Sequence, residues 1–171
     1  DVYKRQFTNK AAKEMQLRVS KLLRKDATGL PWLGTFHSIS AKLLRKHADA
    51  VGLKSNFSII DQDDQVRLIK NICKAENVDI KKISPKYILA IIDKWKNKGF
   101  YPQDVILKRK DPLEKNFLNI YKIYQQKLID LNSADFSDLI LHIVKIFEKY
   151  HDIAELYSKK FKYILVDEYQ D

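Results

Sequence analysis

Cysteine is almost absent from this sequence: Cys73 is the only one in 171 residues. An internal disulfide needs two, so no disulfide framework is available, and a reducing compartment suits the chain. Long apolar runs are missing too. None approaches the ~18–20 residues of a membrane-spanning helix, and the opening DVYKRQF carries no apolar leader core. Glycine and proline are scarce, four of each, and no Pro/Gly-rich linker divides the chain. None of Gly29, Gly34, Gly52 and Gly99 begins the phosphate-cradling pattern G-x-x-x-x-G-K-[ST]; GLKS at 52–55 imitates only its ending. His47, His142, His151 and Cys73 lack metal-ligand spacing. Acids are in deficit, 22 against 32 Lys and Arg, a net charge of +10.

What is present is apolar residue, 45% of the chain, enough for a core. The basic excess suits a polyanion, most often nucleic acid, and equally suits solvated lysine-rich helix faces. Most segments have helical periodicity. Residues 9–25 place Ala12, Met15, Val19 and Leu22 on one face, with Thr8 or Asn9 as cap. Residues 36–51 repeat the pattern from a Thr35 cap to Gly52. Residues 62–76 start with acids and end with lysines, as the helix dipole favours. Ser84-Pro85 opens a helix to about Lys98, and Asp111-Pro112 opens a longer one whose stripe runs from Leu113 through Phe117, Ile120, Tyr124 and Leu128 to Leu131. Asp135 caps a helix burying Phe136, Leu139, Ile143 and Phe147, and a short helix follows near 152–159. In this pattern Tyr121 and Tyr124 are core, Trp95 is partly buried and His142 is structural.

Strand signals are few. LPWLGTF (30–36) reads as a short strand. KYILVD (162–167), apolar on both faces, reads as a buried parallel strand. The expected class is therefore α/β: fragments of a parallel sheet flanking a long helical stretch, roughly 37–158, and mostly α by content.

Three places carry candidate chemistry. Asp167 stands where the last strand runs out, at the carboxyl edge where open α/β sheets bind ligands. A carboxylate there can hold magnesium, and Glu168 beside it can orient a water; a strand exiting into a polar loop has the same sequence. FTNKAAKEM sets Phe7, Thr8, Asn9 and Lys10 at an expected helix start, an anion-binding corner with a stacking face. GTFHS repeats the device with Thr35, Phe36 and His37. Taken singly, FTNKAAKEM reads as a capped surface helix with Phe7 in the core, and GTFHS as a core phenylalanine beside a surface histidine.

In this order, FTNKAAKEM, GTFHSISAKLLRKHA and ILVDEYQD resemble motifs Ia, Ib and II of UvrD-like superfamily 1 DNA helicases. FSIIDQDDQ (Phe57 to Gln65) and ADFSDLIL (Ala134 to Leu141) also resemble segments of that family. The likeness covers nearly the whole chain from Phe7. It departs at 1–6, where the family has an apolar strand, and at Tyr169, where the family often has Phe.

The resemblance implies a piece of the N-terminal ATP-binding half of such an enzyme. Residues 1–36 and 159–171 would belong to a partial RecA-like domain of the P-loop NTPase type, and 37–158 to a helical inserted subdomain. It implies ATP and Mg2+ as cofactors, with Asp167 on the magnesium, Glu168 activating the hydrolytic water, and Gln170 and Asp171 coupling nucleotide state to DNA. Phe7, Thr8, Asn9, Lys10, Thr35, Phe36 and His37 would line the track for single-stranded DNA, including single-strand/duplex junctions. The implied setting is DNA unwinding and repair in a bacterial cytoplasm, at the nucleoid. The phosphate loop would precede residue 1 and further motifs would follow Asp171, so the chain alone is expected to be inactive as an ATPase. A non-catalytic helical DNA-binding module and a metal-dependent phosphoesterase using Asp167, Glu168 and Asp171 remain as alternatives.

Overall fold

The computed structural model describes residues 2–24, 32–107 and 112–166, with side chains from Ala12 onward except that of Leu23. Capping chemistry sets most helix starts. Helix α1 spans Val2–Leu23. Helix α2, Phe36–Lys46, starts at Thr35, whose Oγ1 accepts from the Ser38 N–H at 3.2 Å. It ends sooner than periodicity predicts: the chain tightens at His47 into a 3-10 turn, Ala48–Val51, closed by Gly52 at φ +79°. Strand β1 is Ser58–Ile59. Asp61 caps α3, Gln62–Ala75, through the Asp64 N–H at 2.9 Å. Ser84 and Pro85 open α4, Pro85–Lys96, as their order requires. A second 3-10 turn, Pro102–Asp104, precedes α5, Pro112–Asp130. Strand β2, Ser133–Ala134, leads into α6, Phe136–Lys149, and α7 is His151–Lys160.

The apolar stripes converge on two clusters. One joins α2, α6 and α7 through Leu43, Leu44, Ile143, Ile146 and Tyr157, with Phe57 beneath them. The other joins α3, α4 and α5 through Ile69, Ile88, Ile92, Tyr121 and Tyr124. Trp95 is half-buried, stacked on Tyr121 with ring centroids 5.8 Å apart. Stripe ends escape burial: Leu22, Leu113 and Leu131 are exposed.

A short parallel pairing ties the sequence-distant segments together. Ser58 faces Ser133 and Ile59 faces Ala134. The Ser58 N–H donates to the Asn132 carbonyl and the Ile60 N–H to the Ala134 carbonyl, both at 3.0 Å. Asn132 locks this join. Its backbone takes φ +46°, its Oδ1 accepts from the Lys54 N–H at 2.7 Å, and its Nδ2 donates to Asn56 Oδ1. Asparagine tolerates that left-handed geometry better than most residues.

Both expected strands need correction. Residues 32–35 form a turn and irregular chain, and 163–166 lie in irregular, exposed chain. Tyr163 and Leu165 are each 91% exposed. A strand apolar on both faces needs hydrogen-bonded neighbours and a helix on each side; among the described residues the only sheet is β1 with β2. The described chain is thus mostly helical with one small parallel sheet.

Candidate nucleic-acid interface

The start of α2 presents the GTFHS segment. Thr35 takes extended geometry, and the Ser38 hydroxyl donates back to its carbonyl at 2.9 Å, so the first turn is fixed from both sides. Phe36 follows the cap and is 65% exposed, so it is not the core aromatic its apolarity allows. His37 lies flat on Phe136, ring centroids 3.9 Å apart and planes 19° apart. An exposed aromatic at a helix N-terminus, beside an imidazole held on a second ring, is suited to stacking on bases while phosphates approach the amide end.

The front segment is placed differently from expectation. α1 begins at Val2, so Phe7, Thr8, Asn9 and Lys10 lie within the helix and neither Thr8 nor Asn9 is its cap. The side chains of those four residues, and Asp167, Glu168, Gln170 and Asp171 entirely, lie outside the described residues. The structure thus brings Thr35, Phe36 and His37 together with Phe136 of the ADFSDLIL segment.

Behind Phe136 lies a group that pattern reading missed. Lys96 is fully buried and its ammonium meets Asp135 Oδ2 at 2.6 Å and Asp138 Oδ1 at 2.7 Å. Tyr124 donates its hydroxyl to Asp135 Oδ2 at 2.9 Å, and Gln125 Nε2 donates to Asp138 Oδ1 at 3.2 Å. The two aspartates also cap each other's backbone: Asp135 Oδ1 accepts from the Asp138 N–H at 2.9 Å, and Asp138 Oδ2 from the Asp135 N–H at 3.2 Å. Every carboxylate oxygen is engaged, the condition under which buried charge is tolerated. His142 extends the network, with Nε2 4.0 Å from Asp138 and Nδ1 bonded to the Tyr101 hydroxyl.

The electrostatics follow from burial and this pairing. Desolvation raises Asp135, assisted by the Asp138 charge. Desolvation is the largest influence on Asp138 and acts the same way, but the Lys96 ammonium, His142 and the hydrogen bonds from Lys96 and the Asp135 N–H together hold Asp138 below its ordinary value. Burial opposes the Lys96 charge, yet the two carboxylates keep its pKa above 10.5. Burial, with Lys96 nearby, lowers His142 and keeps it neutral. The network clamps α4 to the first turn of α6, the turn carrying the ring under His37. Its signal was register: Lys96 falls four residues after Ile92 and eight after Ile88, on the buried face of α4.

Trp32 was also missed, inside the segment expected to be a strand. It packs edge-on against Tyr157 and Phe161, with Lys46 Nζ at 5.3 Å and Lys160 Nζ at 5.1 Å from its ring centre. No periodicity announces that contact, because its aromatic partners, Tyr157 and Phe161, lie more than a hundred residues away.

A family model described as UvrD/REP helicase N-terminal domain matches residues 5–171. The chain belongs to the UvrD/REP helicase N-terminal domain family. Curated relatives agree. The chain is 41% identical over 165 residues to the ATP-dependent DNA helicase PcrA of Staphylococcus epidermidis (strain RP62A), covering 96% of this chain and 22% of that protein. The PcrA helicase of Staphylococcus aureus (strain NCTC 8325) matches with the same identity and coverage. The chain therefore spans about a fifth of the length of these UvrD/REP relatives. Among the described residues, no helix is long and apolar enough to cross a membrane, and no group of three or more His, Cys, Asp and Glu gathers in a way that could hold a metal.

Proposed function

We propose that this chain supplies part of the ATP-binding half of a DNA helicase and contributes a track for single-stranded DNA. The supporting observation is the coincidence of family membership with an exposed Phe36 at a capped helix start, beside the His37–Phe136 stack. Phe36 stacks on a base, His37 holds its neighbour, and the α2 N-terminus with Thr35 meets phosphate. Phe7, Thr8, Asn9 and Lys10 extend the same track, which runs to single-strand/duplex junctions.

In this reading residues 1–36 and 159–171 belong to a RecA-like domain, and 37–158 form its helical insertion. Asp167 is the magnesium ligand, as carboxylate oxygens suit that hard cation. Glu168 orients the attacking water, and Gln170 and Asp171 relay nucleotide state to the strand. Mg-ATP supplies the hydrolysable bond that drives translocation. The 171-residue sequence contains no G-x-x-x-x-G-K-[ST] pattern, so the chain by itself binds single strands without turning over ATP. Its setting is the bacterial cytoplasm, at the nucleoid, in DNA unwinding and repair.

The test is fluorescence anisotropy with a labelled oligonucleotide, alongside ATP turnover. Phe36→Ala is expected to weaken single-strand binding by about 1–3 kcal/mol, the worth of one stacked base. The chain alone is expected to show no ATPase, while Glu168→Gln in the full-length helicase abolishes turnover and spares DNA binding. ATP hydrolysis by the isolated chain that disappears in Glu168→Gln, or magnesium-dependent DNA cleavage without nucleotide, overturns the assignment.

A further inference from the structure

Phe136 sits inside a run, Ser133 to Asp138, whose other members are each tied to another element. Ser133 and Ala134 pair with β1, and the Ala134 carbonyl accepts from the Ile60 N–H at 3.0 Å. Lys96 bridges Asp135 and Asp138, and each of those carboxylates accepts from the other's backbone N–H. Ser137 donates its hydroxyl to Asp93 Oδ1 at 3.1 Å. Asp93 and Lys96 both stand on α4. The start of α6 is therefore held to β1 and to α4 on both sides of Phe136. Phe136 itself meets α2: half-buried, it packs against the cluster that contains Leu43 and Leu44.

His37 is the side chain that this arrangement serves. A histidine in the first turn of a helix has several rotamers open to it, and fixing one of them on binding costs affinity. Stacked on Phe136, with centroids 3.9 Å apart and planes 19° apart, the imidazole keeps one plane. Both ring nitrogens lie in that plane, so the directions in which they meet a nucleotide are set before a strand arrives.

We propose that Phe136 is a positioning residue of the single-strand track, acting on the strand only by holding the His37 ring in its binding orientation. This rests on the reading that His37 contacts the strand. A binding group works best when its own rotamer is locked by packing and by hydrogen bonds behind it, and here both are present. The Lys96 bridge then serves binding as well as folding, since a shift of Asp135 or Asp138 moves the ring between them.

The test compares Phe136→Leu, Phe136→Tyr, His37→Ala and the double variant His37→Ala/Phe136→Leu in the 171-residue chain, by anisotropy with a labelled oligothymidylate at fixed salt. Phe136→Leu is expected to weaken binding about threefold to tenfold, the worth of one aromatic pair. Phe136→Tyr keeps the ring and is expected to stay within about twofold of the unaltered chain. In the His37→Ala background Phe136→Leu should have no further effect, because a residue that acts through another is silent once the other is gone. Proton NMR gives a readout that general destabilisation does not move. The His37 ring protons, assigned by their loss in His37→Ala, should lie upfield in the unaltered chain, return towards ordinary positions in Phe136→Leu and stay upfield in Phe136→Tyr. His37 ring protons at ordinary positions in the unaltered chain overturn the proposal whether or not any variant folds. So does an affinity loss from Phe136→Leu that persists without His37, which makes Phe136 a direct contact or a merely structural residue. If Phe36→Ala and His37→Ala weaken binding and Phe136→Leu does not, this inference alone falls. If none of the three changes binding, the single-strand track falls and takes it along.

Discussion

Lys96 shows how a single residue can govern a helical body. Its ammonium bridges two carboxylates that cap the same helix. Removing one partner of such a group strands buried charge. Lys96→Met is therefore expected to destabilise the chain by about 3–5 kcal/mol in a denaturant titration. Alkali should act on the same region. Burial, joined by the Asp135 and Asp138 charges, raises the Tyr121 and Tyr124 hydroxyls well above 10.0, and Lys96 is held above 10.5. The folded chain then retains protons that the unfolded chain releases. That stabilisation is complete below pH 10 and is lost as pH rises through and beyond it. Melting temperature should fall steeply above pH 10, and Tyr124→Phe should soften the fall. These residues were half legible. Tyr121 and Tyr124 read as core from their stripe and are core. Lys96 carried no signal beyond its place beside a partly buried tryptophan, because composition cannot show which lysine meets a buried carboxylate.

At the scale of elements, caps were the most legible feature. Thr35, Ser84 and Asp135 each cap the helix their sequence position foretells, since capping is chemistry between residues three apart, and Asp61 caps α3 in the same way. Asp61→Ala should lower stability by about 0.5–2 kcal/mol in thermal or chemical unfolding, the usual worth of an N-cap. Strands were the least legible. Tyr163 to Val166 has the composition of a buried strand and lies exposed, because a strand is completed by neighbours and not by its own residues. Hydrogen exchange should find the amides of 161–166 far less protected than those of α4 and α5; equal protection would contradict the irregular, exposed chain described there. The start of α1 failed for a related reason: a cap residue such as Thr8 marks a possible start, and the helix runs through it from Val2.

At the scale of the molecule, the proposed single-strand track joins a net charge of +10 to an exposed aromatic at a helix start. Binding dominated by phosphate contacts should weaken steeply with salt. Anisotropy titrations between low and moderate salt are expected to give a linear fall of log affinity, with Phe36→Ala shifting the line without changing its slope, since stacking releases no counterions. A slope altered by that substitution would place Phe36 outside the stacking role.

The sequence alone determined the family, the helix boundaries set by caps, and the apolar stripes that became two clusters. These depend on residues close together in the chain or on motifs read in order. Tertiary structure decided which side chains lie together. It placed His37 on Phe136, drew Lys96 between Asp135 and Asp138, left Phe36 in solvent, and paired Ser58–Ile59 with Ser133–Ala134. Each of those outcomes joins or separates groups through packing between helices, and burial, unlike periodicity, is a property of neighbours that the linear pattern does not contain.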